Sequence, residues 1–212
     1  MPDYADQHGL LDECVRGEHR DESLTALRYY FDGCTGRWFE RYAGGGDEPS
    51  VANTVTEADV LALNFLSITS LANVAIDATM TYALRIRELL EQIPPDVPMH
   101  EAPWSTYEEG APAYRLWELF RQCGGNHRPV TASKLLARKR PHLTPAYDSQ
   151  VRTILKAPAS PWRCLWSWFA TDGTRVRALE ELRKEAGGID DISLLRCLDV
   201  VLWMRARRGV TR

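Results

Sequence analysis

The chain has no cysteine or histidine pattern that would build a metal centre. Its five cysteines, Cys14, Cys34, Cys123, Cys164 and Cys197, are odd in number, scattered, and form no C-x-x-C pair. That excludes a disulfide framework and argues against a zinc or iron–sulfur knuckle, leaving buried free thiols. The five histidines, His8, His19, His100, His127 and His142, show no H-x-x-x-H or H-E-x-x-H spacing, so no metal site is expected. There is no G-x-S-x-G, Walker A or dinucleotide fingerprint, and no cofactor is expected. Gly44-Gly45-Gly46 has no strand before it and no helix directly after it, and reads as a flexible loop. No run of about 18 uncharged apolar residues exists, which excludes a membrane-spanning helix. The acidic N-terminal stretch lacks a basic-then-apolar leader, so the cytoplasm is the expected location. No segment alternates with β-branched residues, so no sheet is expected, and no internal repeat is present. Lysine is scarce, with four against 22 arginines.

What remains is 212 residues of ordinary globular composition, 44% hydrophobic and 26% charged. The net charge of −3 conceals an asymmetry along the chain. Residues 1–127 carry nine basic and 21 acidic side chains; residues 128–212 carry 17 basic and eight acidic. Either the two halves attract each other, or the basic part faces an anionic partner.

Glycine and proline cut the chain into helical blocks. A first block covers 9–32, and the aromatic segment TGRWFE follows at 35–40. Thr56-Glu57-Ala58-Asp59 reads as a helix start, the threonine hydroxyl taking the Asp59 backbone N–H. The helix beyond it is apolar almost all round, which marks a central, buried position. A second long helix covers 74–92. Five prolines in 94–112 mark a linker or a long ordered loop. Further helices follow at 113–123, from Thr131 to Arg140, at 149–156 capped by Asp148, from Ser160-Pro161, at 175–186, and at 194–207 after Ser193. The expected fold is all-α: a single globular bundle of about eight to ten helices over 1–212. Within it lie an acidic subregion 1–93, the proline-rich loop 94–112 and a basic subregion 113–212.

Lys134 and Arg138 lie four apart and share one helix face, while Lys139, Arg140 and His142 add charge at its C-terminal end. Two readings stand: a basic helix end favoured by the macrodipole, or a phosphate-contacting surface in which Lys134, Arg138, Lys139, Arg140 and Arg152 bind nucleic acid. Asp199 sits inside the apolar stripe Leu194, Leu195, Leu198, Val201 and Leu202. It needs a partner if buried, and Arg196 reads as lying on a different face, so a structural ion pair with another helix is expected. Trp162, Trp166, Trp168, Phe169 and Trp203 read as core or as a base-stacking platform.

The motifs TGRWFE, KLLARKRPHLTPAYDSQV and LLRCLDVVLWM resemble an uncharacterised family from GC-rich bacteria, a domain of unknown function, across most of the chain. A more distant likeness runs from a lysine-bearing helix through a proline, an aspartate and a V-R pair. It is similar to the helix-hairpin-helix DNA glycosylases and implies Lys134 as nucleophile and Asp148 as its activating carboxylate, with Val151-Arg152 following. The glycine-rich hairpin of that superfamily is not evident, and an enzyme is not the expected reading. The functional expectations are non-specific nucleic-acid binding, or a protein-interaction or structural module that self-associates or binds a protein partner. A glycosylase-like enzyme is the third.

Overall fold

The computed structural model describes residues 3–125 and 127–210. Eleven α-helices form, and no strand occurs among the described residues, in keeping with the expected all-α class and close to the expected helix number. They are α1 (Ala5–Arg16), α2 (Arg20–Gly33), α3 (Glu57–Phe65), α4 (Ala72–Ile76), α5 (Ala83–Leu90), α6 (Pro112–Gln122), α7 (Pro129–Lys139), α8 (Ser149–Ile154), α9 (Pro161–Thr171), α10 (Thr174–Ala186) and α11 (Leu194–Val210). No helix among the described residues is long and apolar enough to cross a membrane.

The chain forms two compact units. The first joins Met1–Cys34 to Tyr147–Arg212; the second is Thr35–Ala146. Neither boundary falls at the proline-rich loop.

In the first unit α1 packs on α2, α9 and α10, while α2 also meets α10 and α11, and α11 covers α8. Leu11, Cys14, Val15, Leu27, Trp168, Leu179, Leu182, Leu198 and Val201 fill its core. The caps are local and as the sequence dictates. Asp148 accepts from the Gln150 and Val151 amides at the start of α8, and Ser160 accepts from the Arg163 amide at the start of α9. Burial pushes the Cys14 thiol up to about 11 and the Cys164 thiol up to about 12, so both stay protonated.

This unit contains both ends of the charge asymmetry. It unites acidic α1 and α2 with the basic C-terminal helices, and holds 16 acidic and 15 basic residues in all. The charges meet in pairs: Arg16 with Asp172 at 2.8 Å, Arg20 with Glu185 at 2.6 Å, and Lys156 with Asp6 at 3.0 Å. Asp12 and Arg175 form a further pair between the two ends of the chain. The guanidinium binds both carboxylate oxygens, at 2.8 and 2.7 Å, and the Trp168 indole N–H donates to the same carboxylate at 3.0 Å.

In the second unit α3 packs on α4 and α7, α6 on α5 and α7, and 3₁₀ turns at Thr35–Trp38, Tyr42–Gly44 and Trp104–Tyr107 close the ends. The proline-rich loop is ordered and internal to this unit. Met99, Ala102 and Tyr107 are buried, the Met99 amide donates to the His142 carbonyl at 2.8 Å, and the Tyr107 hydroxyl donates to the Leu143 carbonyl at 3.1 Å. Helix α7 starts two residues before Thr131, because Pro129 fits the first helical position.

Burial opposes ionisation of Asp12, but Arg175, Trp168 and Arg16 outweigh it and hold the carboxyl below its usual range. The stabilisation is therefore complete above the unfolded value, about 3.9, and is lost as pH falls through the lower folded value. Asp12→Asn should lower the melting temperature at neutral pH and flatten the loss of stability in acid. Melting curves of the two proteins that stay parallel from pH 7 down to about pH 2 would show that Asp12 carries no such linkage.

Candidate functional site

Helix α7 carries the cations singled out by the sequence, and it is buried at every position from Thr131 to Lys139. Lys134 is 5% exposed, Arg138 1%, and Lys139 and Arg140 0%. The four were expected to contact nucleic acid; in this placement each donates to oxygens inside the second unit. Lys134 Nζ donates to the Leu66 carbonyl at 2.8 Å, at the end of α3. Arg138 Nε meets Asp59 Oδ1 at 3.0 Å, and its other nitrogens donate to the carbonyls of Phe39 and Tyr42. Lys139 Nζ bonds the Val51 carbonyl at 2.9 Å and Asp59 Oδ2 at 3.0 Å.

Arg140 makes five hydrogen bonds, all to neutral oxygens. They are the carbonyls of Ile93 (2.7 Å), Ala52 (2.8 Å), Lys139 (2.6 Å) and Leu90 (2.6 Å), and the Asn53 side-chain oxygen (2.9 Å). A guanidinium presents five N–H groups in a fixed fork, so one residue can gather this many acceptors. Burial without a directly contacting carboxylate pushes its pKa down to about 10, still far above neutrality.

Asp59 is the carboxylate at the centre of this cluster and is 1% exposed. It completes the capping box of α3, accepting from the Thr56 backbone N–H at 3.0 Å while Thr56 Oγ1 accepts from the Asp59 amide. The same carboxylate receives Arg138 and Lys139. The backbone passes close by at Gly46, where an added Cβ would lie 2.3 Å from the Arg138 carbonyl oxygen and 2.8 Å from Asp59 Oδ1. The glycine run is thus a close approach to the cluster as well as a loop.

The remaining sequence candidates are placed as follows. Arg152 is exposed on α8. Asp148, which the glycosylase likeness would make a catalytic partner of Lys134, spends Oδ1 on two backbone amides. Lys134 and Asp148 belong to different units. Asp199 is 7% exposed and pairs with Arg196, three residues earlier on the same helix. That corrects the reading of Arg196 as lying on another face, since i and i+3 are neighbours on a helix. The arginine also reaches another helix, donating to the Tyr30 hydroxyl of α2 and lying 5.2 Å from its ring. Trp168 and Phe169 are core; Arg163 lies over Trp166 at 5.7 Å and Arg207 over Trp203 at 4.8 Å.

A different feature of the second unit is open to solvent. Helices α4 and α5 continue into one another through a π turn at Asp77–Thr81, in which the Tyr82 amide donates to the Asp77 carbonyl at 2.8 Å. Val74, Ala78, Ile86, Leu89 and Leu90 point inward. On the opposite side Ile76, Met80 and Leu84, spaced by four, are 52%, 74% and 79% exposed. They form one apolar row. The rod is fixed where Asp77 Oδ2 accepts the Gly124 amide at 2.8 Å. Gly124 has φ +78, and an added Cβ would lie 2.7 Å from Val74 Cγ2. Arg140 holds the other end through the Leu90 and Ile93 carbonyls. The row was readable in the sequence as a second set of apolar residues at helical spacing, additional to the set that faces inward.

The chain belongs to a family of unknown function, DUF6308, which it matches over residues 23–206. Neither the curated proteins nor the solved structures contain a match to it.

Asp59→Ala leaves Arg138 and Lys139 buried without their carboxylate, a loss of about 3–5 kcal/mol. At about 2–4 °C per kcal/mol for a chain of this size, the melting temperature should fall by roughly 6–20 °C. Arg140→Lys should not rescue Arg140→Ala, because an ammonium has three donors for five acceptors. Thermal melts showing Asp59→Ala within about 2 °C of the parent, or Arg140→Lys fully stable, would show that the cluster does not hold the unit together.

Proposed function

We propose that this member of a family of unknown function is a protein-interaction module whose docking face is the row Ile76, Met80 and Leu84. The observation that supports this most directly is the exposure of three large apolar side chains in register on one rod. Scattered exposed apolar residues are ordinary, but contiguous ones mark contact surfaces. The π turn lies within the row, and such turns recur at functional positions.

The alternative of non-specific nucleic-acid binding draws less support. Affinity for phosphates needs several accessible cations, and of the five expected contacts Arg152 alone is exposed. A glycosylase reaction draws less again, since Lys134 Nζ is bound to a carbonyl and Asp148 to backbone amides.

A photo-crosslinking amino acid placed at position 80 of the full chain in its native cells should give a covalent adduct to protein, and Met80→Glu should prevent the corresponding complex. Illumination that yields no protein adduct would overturn the interaction reading. A gel-shift panel of single- and double-stranded DNA and RNA at about 50 mM salt, where non-specific phosphate contacts are strong, should show no shift. A shift that weakens with salt at a slope near −0.9 per phosphate would instead favour nucleic acid.

A further inference from the structure

We infer that the apolar row receives a second copy of this chain, in an antiparallel contact about a twofold axis at Met80. The inference rests on the interaction reading above and names its partner. Ile76 and Leu84 lie one turn to either side of Met80 and are both more than half exposed. When two such rows cross antiparallel, Met80 meets Met80, Ile76 meets Leu84 of the second copy, and Leu84 meets Ile76. The row is therefore its own complement. A ridge of residues four apart is also the ridge that interlocks with another of its kind in the commonest helix-packing class. Closed twofold pairing of one surface with itself is the usual form of homo-oligomer.

The flanking charges select the same partner and the same direction. Asp77 follows Ile76, and Arg85 follows Leu84, so the two charges lie on the same side of the row. Asp77 is partly exposed; its Oδ2 takes the Gly124 amide. Arg85 is exposed and makes no ion pair among the described residues. A twofold axis normal to the pair of rods keeps that side in register, so each Asp77 lies beside the other copy's Arg85. A parallel pairing, about an axis along the rods, would carry that side to opposite edges of the contact, so Asp77 and Arg85 would not meet and the charges would add nothing. At the far end Arg87 is already paired with Glu91 at 2.9 Å, which closes the row with a satisfied polar edge.

Sedimentation equilibrium on the full chain should show a concentration-dependent monomer–dimer equilibrium. Met80→Glu should yield monomer with unchanged helicity and melting in dilute solution. Arg85→Glu and Asp77→Lys should each weaken the homodimer by on the order of a hundredfold, through two like-charge contacts per dimer. Mixing those two chains should restore association, because both contacts become opposite in charge. If Asp77→Lys melts early for want of an acceptor for the Gly124 amide, Asp77→Asn keeps an acceptor oxygen and should weaken dimerisation less than Arg85→Glu. A parent chain that stays monomeric up to about 1 mM overturns the inference, as does a dimer indifferent to Met80→Glu or a mixture that fails to re-associate. The adduct at position 80 separates the two levels. Twice the chain's mass supports self-association, an adduct to a different protein with a monomeric chain ends it but leaves the interaction reading, and no adduct ends both.

Discussion

The second unit depends on a helix that carries full positive charges into a dry interior and solvates them with backbone carbonyls. Burying an ion is costly unless hydrogen bonds replace its water. Arg140 is the extreme case, with five neutral oxygens and no carboxylate in contact. Seen from the carbonyls, the bargain is reversed. Leu66 closes α3, Leu90 closes α5, Tyr42 opens a 3₁₀ turn, and Phe39, Val51 and Ala52 lie in turns. These carbonyls lie at helix ends and turns, where an oxygen keeps acceptor capacity even when a local amide reaches it, as the Thr54 amide reaches Val51 and the Ile93 amide reaches Leu90, and a long cation on a neighbouring helix takes it up. One helix thereby ties together four separate stretches of the chain, and Asp59 neutralises part of the accumulated charge.

The same account explains why the linear charge asymmetry is a poor guide to partners. The first unit is discontinuous and brings the acidic beginning of the chain together with its basic end, where the charges pair: Arg16–Asp172, Arg20–Glu185, Asp12–Arg175. Of the two explanations that the asymmetry allowed, attraction within the chain accounts for these pairs. The basic residues of α7 are spent differently, as internal donors.

Features encoded by neighbouring residues were legible in the sequence. Thr56 with Asp59, Asp148, Ser160 and Ser193 sit at helix starts because a short polar side chain reaches an amide two or three residues on. The all-α class was legible for the same reason, as was the burial of Trp168 and Phe169. What was not legible depends on distant chain. A Lys or Arg on an amphipathic pattern is normally solvated, and nothing local to 134–140 shows that Phe39, Val51 or Ile93 will supply oxygens. Asp59 was readable as a cap, but its second task is set by α7, more than 70 residues later. For Asp199 the miss was local: i−3 spacing already placed Arg196 within reach. The spacing of Ile76, Met80 and Leu84 was readable too, but not which of the rod's two apolar sets would be left outside, because that is set by what distant chain packs against it.

The buried cluster and the exposed row are parts of one mechanical arrangement. A docking helix is most effective when its side chains are already in place, because ordering a mobile segment consumes much of the gain from contact. Here the rod is held beside Ile76 by Asp77 on the Gly124 amide and at its far end by Arg140 on the Leu90 and Ile93 carbonyls. Its inward face is locked by Ala78, Ile86 and Leu89. Loss of Arg140 would therefore loosen the rod without touching its exposed side. On the proposed reading that gives the internal cations a functional consequence, since they fix the geometry of the apolar row.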